Sequence, residues 1–276
     1  MMCINILFLT AILFMNSCFA AGIDETGEEK TICHFNLGLT HYQQNNFVGA
    51  IAEYTAALAM PECTGAVRVF CHNNLGVAYF LKKNFDAAIE QYTAALAMPE
   101  CTGADRVFCH SNLGIAYYNQ KDFDAAIAQF TAALAMPECT GADRADYHNS
   151  LGAAYCNQKD FDAAIGQFTA ALAMPEYTGA DRAVCHKNLG IAYYHQNNFA
   201  GVVTEYTAAL AIPELVGAAR ATCHNNLGSA YYNQKNIVGA IEQYTAALAI
   251  PELVGAASAT CHNNLEVVRQ RYPRMC

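Results

Sequence analysis

The sequence predicts an all-α protein, a solenoid of paired helices, and three observations predict it. The string Cys33-His34-Phe35-Asn36-Leu37-Gly38 returns as Cys71-His72-Asn73-Asn74-Leu75-Gly76, then at Cys109, Tyr147, Cys185, Cys223 and Cys261, each step being 38 residues. A second string, Tyr92-Thr93-Ala94-Ala95-Leu96-Ala97-Met98-Pro99-Glu100, keeps the same step from Tyr54 to Tyr244. Each unit also holds two apolar patterns at helical spacing, parted by an amide-rich turn and closed by a Pro-Glu turn, the pattern of two antiparallel helices. Six units start near residues 26, 64, 102, 140, 178 and 216, and a helix from about 254 caps them, so that the solenoid covers 26–270.

Composition narrows the classes of function. The 276 residues are 54% hydrophobic and only 14% charged, so the chain can bury a large core. Fifteen Lys and Arg against 24 Asp and Glu give a net charge of −9, which lacks the basic field that nucleic acid binding needs. Nucleic acid is therefore excluded as a partner. Thirteen cysteines and nine histidines call for an explanation, since such numbers point to disulfides or to metal.

Taken in order, residues 1–20 read as a signal peptide: an apolar run from Ile4 to Phe14 precedes the small-residue boundary Cys18-Phe19-Ala20-Ala21, with cleavage after Ala20. The n-region holds no Lys or Arg, and an uncleaved anchor or a lipid on Cys18 is the alternative. Either way the chain is expected in a secreted, periplasmic or secretory-lumen setting, with no other membrane association. Residues 21–25 form a short linker. In the third unit the first helix is expected after Thr102, whose hydroxyl and Asp105 have capping-box spacing. Thr140 with Asp143, Thr178 with Asp181 and Thr26 with Glu29 repeat that pattern. The second helix is expected from Phe123 to Met136, with Asp122 as its N-cap and Pro137 as its stop. Asn46, Asn84, Asp160, Asn198 and Asn236 stand in the matching cap positions. A basic tail, 271–276, follows the capping helix.

These residues, Asn-Leu-Gly-x-Ala-Tyr-Tyr-x-Gln, then Phe-Asp-x-Ala-Ile-x-x-Tyr, then Ala-Leu-x-x-Pro, resemble the tetratricopeptide repeat over nearly the whole chain. Leu75, Gly76, Tyr79, Ala88, Tyr92 and Ala95 fall at that family's spacing, with Val202 a departure from alanine. The family period is about 34, so each unit carries roughly one extra helical turn, placed here at Gly103 to Arg106. Gly38, Gly76, Gly114, Gly152, Gly190 and Gly228 read as close-approach residues between the two helices of a unit; Glu266 takes that place in the capping helix, which has no second helix to accept.

The resemblance implies a right-handed superhelix whose concave groove binds an extended peptide or a partner's helix. Internal variation identifies the groove face: His72, Gly76 and Tyr79, and Cys71, Leu75 and Ala78, hardly change, whereas another face diversifies. That face comprises Phe70, Asn73, Val77 and Phe80; Phe108, Ser111, Ile115 and Tyr118; Asn149; Lys187, Ile191 and Tyr194; and Asn225 and Tyr232. It offers apolar anchors and amides for backbone hydrogen bonding. Asp146 and Lys187 are its charges, so the several-lysine carboxylate clamp of some relatives is not expected. The column Asn74, Asn112, Asn188 and Asn226 matches a ligand-contacting asparagine of some relatives, or else bonds within the scaffold.

No catalytic motif is present, neither Gly-x-Ser-x-Gly nor His-Glu-x-x-His nor a phosphate loop, and no cofactor is implied. Seven histidines share one column, and each is expected to bond a tyrosine or a carbonyl. Metal binding through His and Cys columns is the alternative, and a passive structural repeat is another. Equivalent atoms in stacked repeats lie about 10 Å apart, whereas zinc needs ligands at about 2.0 to 2.3 Å. Disulfides are not expected. Loss of Cys3 and Cys18 leaves 11 of the 13, an odd number, and Cys101 and Cys109, read as one helix, are separated by roughly 12 Å of rise. Cys63, Cys101 and Cys139 become Tyr177, Leu215 and Leu253, as apolar fillers would; Cys276 is the exposed thiol, placed after Arg269, Arg271 and Arg274.

Overall fold

A computed structural model describes residues 26–273. The expected signal peptide, the linker and the end of the basic tail with Cys276 lie outside the described residues. All regular structure in the described residues is α-helical, in thirteen helices. Residues 26–138 form one compact unit and 139–273 another. The first holds α1 (Gly27–Gln43), α2 (Phe47–Ala59), α3 (Gly65–Leu81), α4 (Phe85–Leu96), α5 (Gly103–Gln120) and α6 (Phe123–Leu134). The second holds α7 (Gly141–Gln158), α8 (Phe161–Leu172), α9 (Gly179–His195), α10 (Phe199–Leu210), α11 (Gly217–Asn233), α12 (Ile237–Leu248) and α13 (Gly255–Arg271). Odd-numbered helices are the first of each pair and run 17 or 18 residues; their partners run 12 or 13. The longer first helix accommodates the extra turn that the 38-residue period requires.

Within each pair the decisive contact is an aromatic ring of the second helix seated on a glycine of the first. A Cβ added at Gly76 would stand 2.6 Å from the Tyr92 ring, and one at Gly152 2.7 Å from Phe168. The same contact recurs at Gly38 with Tyr54, Gly114 with Phe130, Gly190 with Tyr206 and Gly228 with Tyr244. These rings are buried, together with the alanines beside them, Ala88, Ala95 and their equivalents. Burying each ring contributes roughly 2 to 3 kcal/mol, provided no methyl group intervenes. The phenols need hydrogen bonds inside this core: Tyr206 Oη accepts from Asn226, and Tyr244 donates to Ser229 Oγ. Phe130 and Phe168 avoid the need. Among the described residues only the Tyr54 hydroxyl is a buried side-chain polar atom without a partner.

The expected caps of the second helices are all present. The side chains of Asn46, Asn84, Asp122, Asp160, Asn198 and Asn236 each accept from the amide three residues on. The ends of these helices differ from expectation: α6 stops at Leu134 rather than Met136. Pro137 disfavours helical geometry at Met136, whose amide instead bonds the Ala133 carbonyl in a tightened i−3 turn.

The capping boxes of the first helices need correction. Thr26 and Glu29 form one, but Thr102, Thr140 and Thr178 make no side-chain cap bond. The cause is the next residue. Gly103, Gly141 and Gly179 are in left-handed backbone, with φ between +53° and +61°, whereas Gly27 is not. That turn carries the threonine hydroxyl away from the N3 amide, so Val216 and Val254 replace threonine there without loss of a cap. The work of joining consecutive pairs passes to an arginine one turn on. Arg106 donates to the carbonyls of Leu96 and Cys101 at 3.3 Å, and Arg68 and Arg182 bind the equivalent carbonyls.

The same left-handed turn overturns the argument on cysteine reach. α5 begins at Gly103, so Cys101 lies in the turn before it rather than on the helix. Cys63 and Cys71, in the equivalent places, have their sulfurs 4.0 Å apart, and Cys101 and Cys109 pack in one buried cluster.

Gly114→Leu is expected to destabilise the chain by about 3 kcal/mol and lower its thermal midpoint. Adding Phe130→Ala should recover part of that loss; strictly additive losses in a double-mutant cycle would refute the ring-on-glycine contact. Asp122→Ala should cost about 1 kcal/mol, while Thr102→Ala should stay within about 0.5 kcal/mol in denaturant titrations. Equal costs at the two positions would restore the capping box.

Candidate functional site: the variable face of the first helices

The residues of the diversified column come together along the first helices of each unit, though not all reach solvent. On α3 and α5, Phe70, Val77, Phe80, Ile115 and Tyr118 are half-buried and Phe108 is 52% exposed. In the second unit Asn149, Lys187, Ile191, Asn225 and Tyr232 are half-buried and Tyr194 is 41% exposed. Phe80 and Tyr118 are braced from behind. Their rings meet Phe85 and Phe123, the first residues of the following helices, at 5.4 and 5.5 Å, and Tyr194 meets Phe199 in the same way. Anchors held like this lose little freedom on binding.

Asn73 and Ser111 do not belong to the open surface. They are 8% and 3% exposed, and Asn73 falls in the seam between α3 and α5. Asn73 Oδ1 accepts from Asn112 Nδ2 at 3.1 Å and from the Cys109 thiol. Asn188 donates to Asn149, and Asn264 to Asn225, in the same register. Asn74 donates to the Phe70 carbonyl and Asn226 to Tyr206. The asparagine column therefore bonds within the scaffold, where every buried amide must find a partner.

The histidine column also serves packing, with a partner the sequence reading did not name. His72, His110, His148 and His224 each place Nδ1 at 2.8 Å from a glutamine Oε1 nineteen residues on, and His34 and His186 meet Glu53 and Glu205 at 2.7 Å. A neutral ring donates to such an oxygen, and burial holds His72 below its ordinary pKa. The paired columns, histidine with Gln or Glu at a fixed offset of 19, were the available signal. His186 and Glu205 line a recess of about 380 Å³ in the second unit with Leu172, Leu189 and Tyr193.

Burial pushes the Cys156 and Cys223 thiols up to about 11 and that of Cys185 up to about 12, which suppresses the thiolates a nucleophile would need. Asp146, half-buried on the variable face, is raised by burial and by the nearby Asp181, while the Tyr177 hydroxyl donates to it. Among the described residues, no three side chains of metal-ligating type converge, and no helix is long and apolar enough to cross a membrane.

Two family models match, both described as tetratricopeptide repeat, over residues 68–138 and 111–181. No curated protein sequence matches. Among solved structures, the APC/C hetero-tetramer Cut9–Hcn1 is similar at 19% identity and a TM-score of 0.63, over 94% of this chain and 45% of that one; this chain thus spans less than half of that relative. The C-terminal part of a TPR repeat-containing protein from Cytophaga hutchinsonii is similar at 15% identity and a TM-score of 0.66, over 87% of both chains. PilF of Pseudomonas aeruginosa is similar at 15% identity and 0.63, over 90% of this chain and all of that one. At these identities the likeness concerns the fold.

Proposed function

We propose, from the premise that this chain is a tetratricopeptide-repeat protein, that it is a non-catalytic scaffold binding an extended peptide or a partner's helix along the variable face of its first helices. Repeats of this family mediate contacts between proteins. One observation carries the finer reading. The other faces of the first helices are occupied in packing or in bonds within the scaffold, whereas this one changes from repeat to repeat and keeps large apolar side chains accessible, Phe108 and Tyr194 above all. Its scarcity of charge favours a neutral, apolar ligand over a terminal carboxylate.

Peptides selected from a random library on the immobilised chain should bind Phe108→Ala at least about tenfold more weakly than wild type, with little dependence on salt. The exposed turn substitution Glu100→Ala should leave both binding and the thermal midpoint unchanged. Peptides that bind the Phe108 variant as tightly as wild type would refute the site.

The reading extends to export, supported by the apolar run before Ala20. N-terminal sequencing of the protein recovered outside the cytoplasm should then begin at Ala21. Recovery from the cytoplasm alone, beginning at Met1, would refute export.

A further inference from the structure

We propose that Cys63 with Cys71, and Cys101 with Cys109, are two disulfide-forming pairs that close when the chain meets a low-molecular-weight disulfide of the glutathione class. In each pair one cysteine lies in the turn that ends a helical pair and the other, eight residues on, in the next first helix. The Cys63 and Cys71 sulfurs touch at 4.0 Å, and a bond needs them about 2 Å closer. All four side chains are fully buried or nearly so. The turn cysteine is held over its partner by its own carbonyl, which the arginine of the next helix grips: Arg68 on Cys63 at 3.2 Å, Arg106 on Cys101 at 3.3 Å.

The rest of the chain supplies the control. Cys139 has Tyr147 in the partner position, while Cys185, Cys223 and Cys261 have Tyr177, Leu215 and Leu253. The left-handed turn is the same in those repeats, but only one thiol is present in each.

The exchange balances with the small disulfide as oxidant. The turn cysteine reacts first, because its segment opens without unwinding the helix. Its thiolate attacks one sulfur of the small disulfide; a mixed disulfide forms, and the departing thiolate takes up a proton. With the turn open the helix cysteine is hydrated and recovers its thiolate fraction; having given up its proton, it attacks the turn sulfur as the turn closes and expels the second small thiolate, which takes up the second proton. Two protein thiols are oxidised by two electrons and one small disulfide is reduced to two thiols. The product ties the end of one helical pair to the start of the next.

The full chain is equilibrated with glutathione disulfide and glutathione at a temperature where the turns open, quenched in acid, alkylated in denaturant and mapped without reduction. The expected result is an intact mass lower by about 4 Da before alkylation, about 2 Da for each bond. The map should show Cys63–Cys71 and Cys101–Cys109 linkages, with Cys139, Cys185, Cys223 and Cys261 alkylated. The oxidised chain should melt higher, by something on the order of 5 °C. Cys63→Leu, carrying the residue that the chain itself has at Leu215, should keep its helical circular dichroism, retain Cys101–Cys109 and leave Cys71 alkylated. Alkylation of both members of either pair in the wild-type chain, a persistent glutathione adduct at Cys63, or linkage of Cys71 to another cysteine would overturn the proposal.

Discussion

The structure depends on one contact, the aromatic ring of a second helix lying on the backbone of a first helix where a glycine leaves room. Six glycines hold that place and six rings meet them. The contact sets the distance between paired helices at a value that a single methyl group would disturb. The surrounding choices follow from it. Small alanines line the rest of the interface because the ring has already brought the helices close. The histidine four residues before the glycine bridges to the glutamine or glutamate just before the ring, so one polar bond fixes the same pair at the edge of its core. In the final helix Glu266 occupies the glycine position, where the described residues contain no following helix to approach.

A second constraint joins successive pairs. The glycine that opens each first helix after α1 takes left-handed backbone, and this one dihedral has three effects. It removes the threonine from its capping role, it lays the turn cysteine or its replacement into the core, and it brings the arginine of the next turn onto the carbonyls behind it. Five arginines act in this way, from Arg68 to Arg220. A guanidinium suits the task because several fixed donors can reach two carbonyls at once. Ser258 stands in that position in the last helix.

Much of this was legible in the residues. The period, the paired helices, the Asn and Asp caps and the close-approach glycines all follow from local rules that repeat at a fixed step. What was hidden depends on dihedrals and on pairs distant along the chain. Thr102 and Asp105 have capping-box spacing, yet spacing does not reveal that Gly103 turns the hydroxyl away. Cys101 and Cys109 looked too far apart because helix rise was applied to a residue that lies outside the helix. The amides at Asn73 and Asn112 resembled ligand contacts, but an asparagine that recurs in the Asn112 column of every repeat except the one with Ser150 serves equally well as a rung between helices. The variable face was inferred from its change between repeats. Asn73 and Ser111 vary with that face yet are buried, because variation between small polar residues is also tolerated away from solvent.

The consumption of those amides alters what the face can recognise. With the oxygens of Asn73, Asn149 and Asn225 accepting from neighbouring repeats, the surface offers rings and branched aliphatic groups far more than hydrogen bonds to a ligand backbone. In the proposed binding role, selectivity then rests on the spacing of apolar anchors. Phe70 and Phe108 stand on neighbouring first helices, whose axes pack about 10 Å apart. An extended ligand covers that distance in about three residues, at roughly 3.3 Å each, and a helical one in about seven, at 1.5 Å each. An extended ligand whose side chains alternate between two sides presents residues three apart to opposite faces, so it cannot fill both sites without a twist. A helix with apolar residues seven apart keeps them on one side. In the proposed binding role, anchors so spaced would suit a partner's helix better than a flat extended peptide.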